Sequence, residues 1–128
     1  MMGHEAAMHR LRSLFLILAF LAALPAQAAE AAYDGRMLRL AEILGSLHYL
    51  RNLCGEPGAQ WRERMEQILA AENPEPDRRA RYIASFNRGY AAYAKNYSVC
   101  TDTAITAIDL YVKEGETLSR EIVARFAN

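Results

Sequence analysis

The sequence predicts an all-α, up-down four-helix bundle, stapled by one disulfide and preceded by a signal peptide. Three observations carry this. Four segments show apolar residues at alternating spacings of three and four, and short turns rich in Gly, Pro and Asn separate them. No run alternates apolar and polar residues as a half-buried strand would. The chain has 2 cysteines, Cys54 and Cys100, and each ends an apolar stripe.

The N-terminus reads as an export signal. Arg10 and Arg12 precede "LFLILAFLAAL" (Leu14 to Leu24), Pro25 follows, and Ala26 to Ala28 offer the small residues a signal peptidase reads. The apolar run is about half of what a membrane span requires. The expected division is 1–28 as signal peptide and 29–128 as helical domain, with no stable membrane insertion after cleavage. Met8 offers a second start, since "MHRLRSLF" retains the whole positive region.

The first helix is expected from Tyr33 to Cys54, with Leu40, Ile43, Leu47, Leu50 and Cys54 on one face. Gly55 is placed to terminate it, and Pro57 follows. The second is expected from Ala59 to Glu72, turning Trp61, Met65, Ile68 and Leu69 inward. "NPEP" (Asn73 to Pro76) ends it and opens the third, where Asn73 can cap and Pro74 is tolerated in the first turn. The third is expected from Pro76 to Val99, its stripe being Ile83, Phe86, Tyr90, Tyr93, Tyr97 and Cys100. Thr101 is an N-cap candidate for the fourth, with Asp102 complementing the helix dipole. Ile105, Ile108, Val112, Gly115, Ile122 and Phe126 form the fourth stripe. Gly115 lies within it at a cost of about 1 kcal/mol relative to alanine, so a close backbone approach is expected there.

Short connections favour antiparallel neighbours, so helices one and three run the same way. Both cysteines then face inward at the same end of the bundle. A Cys54–Cys100 bridge would close a loop of about 45 residues, which the chain-entropy model values at roughly 4 kcal/mol.

Composition narrows the function. Removing Arg10, Arg12 and Glu5 from the 15 basic and 15 acidic residues leaves the mature chain near neutrality. That argues against a nucleic-acid partner, whose affinity comes from phosphate neutralisation. It argues equally against adhesion to anionic membranes. His48 is the one histidine after the signal, and both cysteines are used in the bridge, so no metal site and no cofactor is expected. His48 is read as a histidine at the edge of the core that bonds to a backbone carbonyl or water. Ser46, Ser85 and Ser98 lack a histidine partner and a glycine elbow. Glu63/Glu66 and Glu114/Glu121 are read as solvated helix faces rather than a carboxylate pair. No catalytic residue is assigned, and no enzyme is expected.

Two surfaces remain as candidates for binding. Tyr82, Tyr90, Tyr93 and Tyr97, with Phe86, Tyr49 and Tyr111, form either a core with phenol tips or a ligand groove. "DRRAR" (Asp77 to Arg81) sets three arginines where a helix dipole disfavours cations. Glu72, Glu75 and Asp77 answer part of that charge. The remainder makes Arg78, Arg81 and Tyr82 the candidate contact for an anion or carboxylate.

"LAEILGSLHYLRNLCG", the Trp and Met of "WRERM", "DRRARYIASFNRGY", "CT", and "EG" in "VKEGETLSREI" together resemble a family of small exported alphaproteobacterial proteins, a domain of unknown function with two cysteines. The likeness covers about Tyr33 to Asn128 and implies export but transfers no activity. Members commonly have "CTPAA" where this chain has "CTDTA"; Asp102 thus replaces a proline at the first helical position. The expected function is a non-enzymatic interaction module of the periplasm or secreted space. Its partner would be another exported protein or a cell-wall component. The alternatives are an inhibitor or immunity protein for a secreted enzyme and a small carboxylate-dependent enzyme.

Overall fold

A computed structural model describes residues 2–126, with side chains from residue 26 onward. The signal peptide expected over 1–28 therefore lies, apart from Ala26 to Ala28, outside the described side chains. Four helices follow one another without a strand among the described residues: α1 (Met2–Leu53), α2 (Gln60–Glu72), α3 (Pro76–Ala94) and α4 (Asp102–Phe126). Met1–Asp34 and Gly35–Asn128 form two compact units, and the bundle and every contact below belong to the second. No helix among the described residues is long and apolar enough to cross a membrane.

α1 begins well before the expected Tyr33 because Ala26 to Ala32 hold only alanine, glutamine and glutamate, all good helix formers. Its end is the expected one. Gly55 takes φ 99°, and the Glu56 amide donates to the Arg51 carbonyl at 2.9 Å, which satisfies a terminal acceptor. Asn52 then clasps the connection, its side chain bonding both the carbonyl and the amide of Gly58 at 3.0 and 2.8 Å. Asn73 caps the end of α2 rather than the start of α3: its φ is 43°, and its amide bonds the Leu69 carbonyl at 3.0 Å. The proline in the first turn of α3 is Pro76, not the expected Pro74, which lies in the connection before the Glu75 N-cap. Thr101 caps α4 as expected, its hydroxyl accepting from the Ala104 amide at 3.1 Å.

The helices alternate in direction. Arg36 and Arg39, early in the bundled part of α1, pair with Glu121 and Glu114, late in α4, at 3.2 and 2.6 Å. α1 is the central helix: Ile43, Leu47 and Leu50 are no more than 2% exposed and pack with Ala104 and Ile108 of α4. Met65 and Leu69 close the core from α2. The Cys54–Cys100 disulfide is formed, with a Cα–Cα distance of 5.0 Å.

Three further expectations need correction. α3 stops at Ala94, not Val99. The Tyr97 carbonyl accepts the Tyr49 hydroxyl instead of a helical amide, and Cys100 reaches its partner from the connection to α4. The inward face of α3 is also turned by about one residue, whereas the α4 stripe holds at Ile108 and Val112 and misses at Ile105. Ile83 and Tyr90 are each 39% exposed and Ile105 is 49% exposed, while Tyr82, Ser85, Phe86 and Gly89 of α3 are buried. Close approach selects that face. A Cβ on Gly45 would run into the Phe86 backbone carbonyl, and one on Gly89 would run into the Glu42 carbonyl and reach Ser46 Oγ at 3.0 Å. The Ser46 hydroxyl donates to the Gly89 carbonyl at 3.1 Å across the same contact. Gly115, by contrast, meets no backbone: its Cβ would lie 3.6 Å from Ile43 Cγ2, an ordinary contact.

Candidate functional site

The start of α3 brings Arg78 and Tyr82 together. The Arg78 guanidinium lies 5.1 Å from the Tyr82 ring centroid and 3.5 Å from a Glu72 carboxylate oxygen, so the acid expected to answer it does so. Tyr82 is 1% exposed and contributes a stacking floor beneath Arg78 rather than an accessible phenol. Arg81 is exposed.

Four other tyrosines, Tyr49, Tyr93, Tyr97 and Tyr111, pack partly buried against the core cluster. The Tyr93 and Tyr111 hydroxyls lie 2.8 Å apart with their rings edge to face. Burial, and then the bond to Tyr111, pushes the Tyr93 hydroxyl well above its usual pKa, so it stays protonated. Arg39 sits over the Tyr111 ring at 5.8 Å and grips Glu114 through two hydrogen bonds of 2.6 and 2.9 Å. That bidentate bond holds the Glu114 carboxyl below its ordinary pKa, against the opposing effect of burial. Both carboxylates of the candidate Glu114/Glu121 pair are thus held by arginines. Ser46 is committed to Gly89, and Ser85 Oγ accepts from Arg88 at 3.1 Å.

His48 lies at the core edge, its ring 5.8 Å from Phe86 and 5.7 Å from Tyr90, but its buried Nδ1 makes no hydrogen bond to a backbone carbonyl among the described residues. Burial, and then the charge of Arg62, lowers its pKa below the ordinary 6.5. The folded state therefore prefers the neutral ring. Stability from this group is fully present above pH 6.5 and is lost as pH falls through the depressed folded value. Urea midpoints measured between about pH 7.5 and pH 5.5 should fall in the wild type and fall less in His48→Gln. Equal slopes in the two proteins would remove His48 as the cause.

The feature that the sequence does not disclose is a cleft between α1, α2 and α4. It has a volume of about 460 Å³, and Leu40, Ile43, Leu44 and Leu47 of α1 contribute its apolar floor. Trp61 and Arg64 line it from α2; Val112, Gly115, Glu116 and Arg120 line it from α4. A second hollow of about 340 Å³ shares Leu40, Leu44, Arg64 and Ser119 and continues past Ile68, which makes one elongated trough. Arg64 stacks on Trp61 at 5.1 Å. Trp61 Nε1 is buried and has no hydrogen-bond partner among the described residues. The trough exists because α1 carries apolar residues on more of its circumference than one neighbour covers: α3 takes the Gly45 side, and Leu40 and Leu44 are left toward α2 and α4. The signals for it were the width of that stripe, the single tryptophan with an arginine three residues on, and Gly115. Among the described residues no three His, Cys, Asp or Glu side chains group as metal ligands.

A family model for proteins of unknown function, DUF2385, matches residues 32–126. The chain belongs to the DUF2385 family. Neither a curated protein nor a solved structure matches it. The two bonded cysteines, the Gly45–Gly89 contact and the trough all lie inside the DUF2385 region.

Proposed function

We propose that this DUF2385 protein is a non-catalytic binding module of the alphaproteobacterial cell envelope, exported to the periplasm or beyond, and that it binds through the trough between α1, α2 and α4. The single observation that carries the reading is the trough itself. Its volume of about 460 Å³ falls in the range of small-ligand sites, its floor is aliphatic, and a few polar groups sit at its rim. Export is supported by the order of residues 1–28 and by a disulfide, which persists in oxidising compartments. The arginines at the start of α3 are a weaker location, because Glu72 already answers Arg78 and Tyr82 is covered.

The test is amide chemical-shift mapping on isotope-labelled mature protein, titrated separately with protein and small-molecule fractions of a periplasmic extract. Perturbations gathered on Leu44, Arg64, Gly115 and Arg120 are the expected result. Perturbations gathered on Arg78 and Arg81 would move the site to α3, and no perturbation by either fraction would end the reading.

A further inference from the structure

We infer that the trough takes a single acyl chain ending in an anionic head, a carboxylate or a phosphate; this rests on the trough being the binding site. The shape gives the chain. Leu40, Leu44 and Ile68 continue the apolar floor from the first hollow into the second, so the lining is long rather than round. A linear hydrocarbon covers such a floor with continuous contact; the apolar area removed from water is chiefly the chain's own, since Ile43, Leu44 and Leu47 are at most 6% exposed already.

The rim gives the head. Arg64 and Arg120 flank the trough from opposite helices. Arg64 is held by stacking on Trp61, and Arg120 makes only a 3.5 Å contact with the Thr117 hydroxyl, so neither guanidinium is committed to a carboxylate among the described residues. Arginine binds carboxylates and phosphates through paired, charge-assisted hydrogen bonds. Glu116 lines the same rim and opposes an anion, but two cations against one acid leave the rim positive.

Gly115 supplies the independent argument. A glycine inside a helix is costly, and in α1 and α3 that cost has a visible cause, since Gly45 and Gly89 each meet a neighbour's backbone. At Gly115 packing demands no glycine, for a methyl would sit in ordinary contact with Ile43. What the missing side chain does leave is open floor in the trough. A larger residue there fills the volume a chain would occupy.

Trp61 is the only tryptophan of the chain, so its fluorescence reports on the trough alone. Mature protein is titrated with dodecanoate, dodecyl phosphate and dodecanol, each below its aggregation threshold. Saturable one-to-one shifts are expected with at least one of the two anions. Dodecanol should bind about tenfold more weakly, for want of the charge-assisted bonds. The stronger of the two anions identifies the head as carboxylate or phosphate. Gly115→Leu should weaken the bound anion by about tenfold or more through lost volume, with its helical signal and melting temperature retained. Arg120→Ala, which leaves the Trp61–Arg64 stack in place, should weaken the anions and leave dodecanol unchanged. Dodecanol binding as tightly as both anions would overturn the inference while leaving the trough as a binding site. Silence from all three probes, alongside trough-centred shifts with a protein fraction of the extract, would replace the lipid-like ligand with a protein partner. A fluorescence shift that depends only on protein concentration would assign the trough to a second copy of the chain and end the inference.

Discussion

Replacing Cys54 and Cys100 together by alanine is expected to lower stability by roughly 4 kcal/mol, within a general range of about 2–5 kcal/mol for native disulfides of small domains. The expectation comes from the length of chain the bridge encloses. The sequence separation of 46 means that α2, α3 and both of their connections hang between the two sulfurs. Without the bond the unfolded chain gains the freedom of that whole loop. For a domain of this size the loss corresponds to a fall in melting temperature of roughly 15–30 °C. Total stabilities of such domains are about 5–15 kcal/mol, so the variant can be largely unfolded at growth temperature. Thermal unfolding followed by circular dichroism measures the effect directly. Wild type in excess reductant should melt where the double variant does, which separates the tether from any packing of the sulfurs. A shift under about 5 °C in both comparisons would mean that the bridge constrains little.

Export and the bridge reinforce each other physically. The helices of the second unit enclose one modest core, and a chain this small gains a large share of its stability from one covalent closure. Such a closure survives only where thiols are oxidised. The proposal of an envelope protein therefore predicts that material made with residues 1–28 intact and directed to the periplasm acquires the bond, whereas reduced material is the less stable species.

The parts of the fold legible in the sequence are those carried by large aliphatic residues. The α1 stripe was readable because Ile43, Leu47 and Leu50 are both strongly apolar and among the most buried side chains in the molecule. The Thr101 cap and the Gly55 terminator were readable because each does its work locally. α3 was less so. Its most intimate contact with α1 is made by Gly89 and Ser85's neighbours on that face, and small or polar residues leave no trace in a hydrophobic pattern. The pattern instead registered Ile83 and Tyr90, which lie partly in solvent. The cysteine pairing survived the wrong helix end because the connection from Ala94 to Asp102 is short: wherever the helix stops, Cys100 stays at the same end of the bundle. The trough was not legible at all as a shape. It depends on how far apart α2 and α4 lie across α1, and that spacing is set by tertiary packing, not by the composition of either helix.

Glycine-to-alanine changes at three helical positions should divide by sign. In each case the new methyl favours the helix by about 1 kcal/mol through propensity and lost unfolded-state entropy. At Gly115 nothing opposes that gain, since the nearest atom is a side-chain methyl at 3.6 Å, so Gly115→Ala should stabilise by about 0.5–1 kcal/mol. At Gly89 the methyl would enter the Glu42 carbonyl, and at Gly45 it would enter that of Phe86. Those are backbone atoms of a packed helix and cannot rotate aside. α1 and α3 must separate, and the Ser46 bond to the Gly89 carbonyl lengthens or breaks with them. Over-packing of about 1–3 kcal/mol and roughly 1 kcal/mol for the bond together exceed the propensity gain. Gly89→Ala should therefore destabilise by about 1–3 kcal/mol, and Gly45→Ala by no more than that, since it does not carry the bonding carbonyl. The two glycines share one contact, so the double variant should cost less than the sum of the singles, since once the helices have moved apart the second methyl meets open space. Urea unfolding at unchanged m value gives all four numbers. Gly45→Ala and Gly89→Ala both as stable as wild type would mean that α1 and α3 do not meet through their backbones, and the rotated inward face assigned to α3 would fall with that contact.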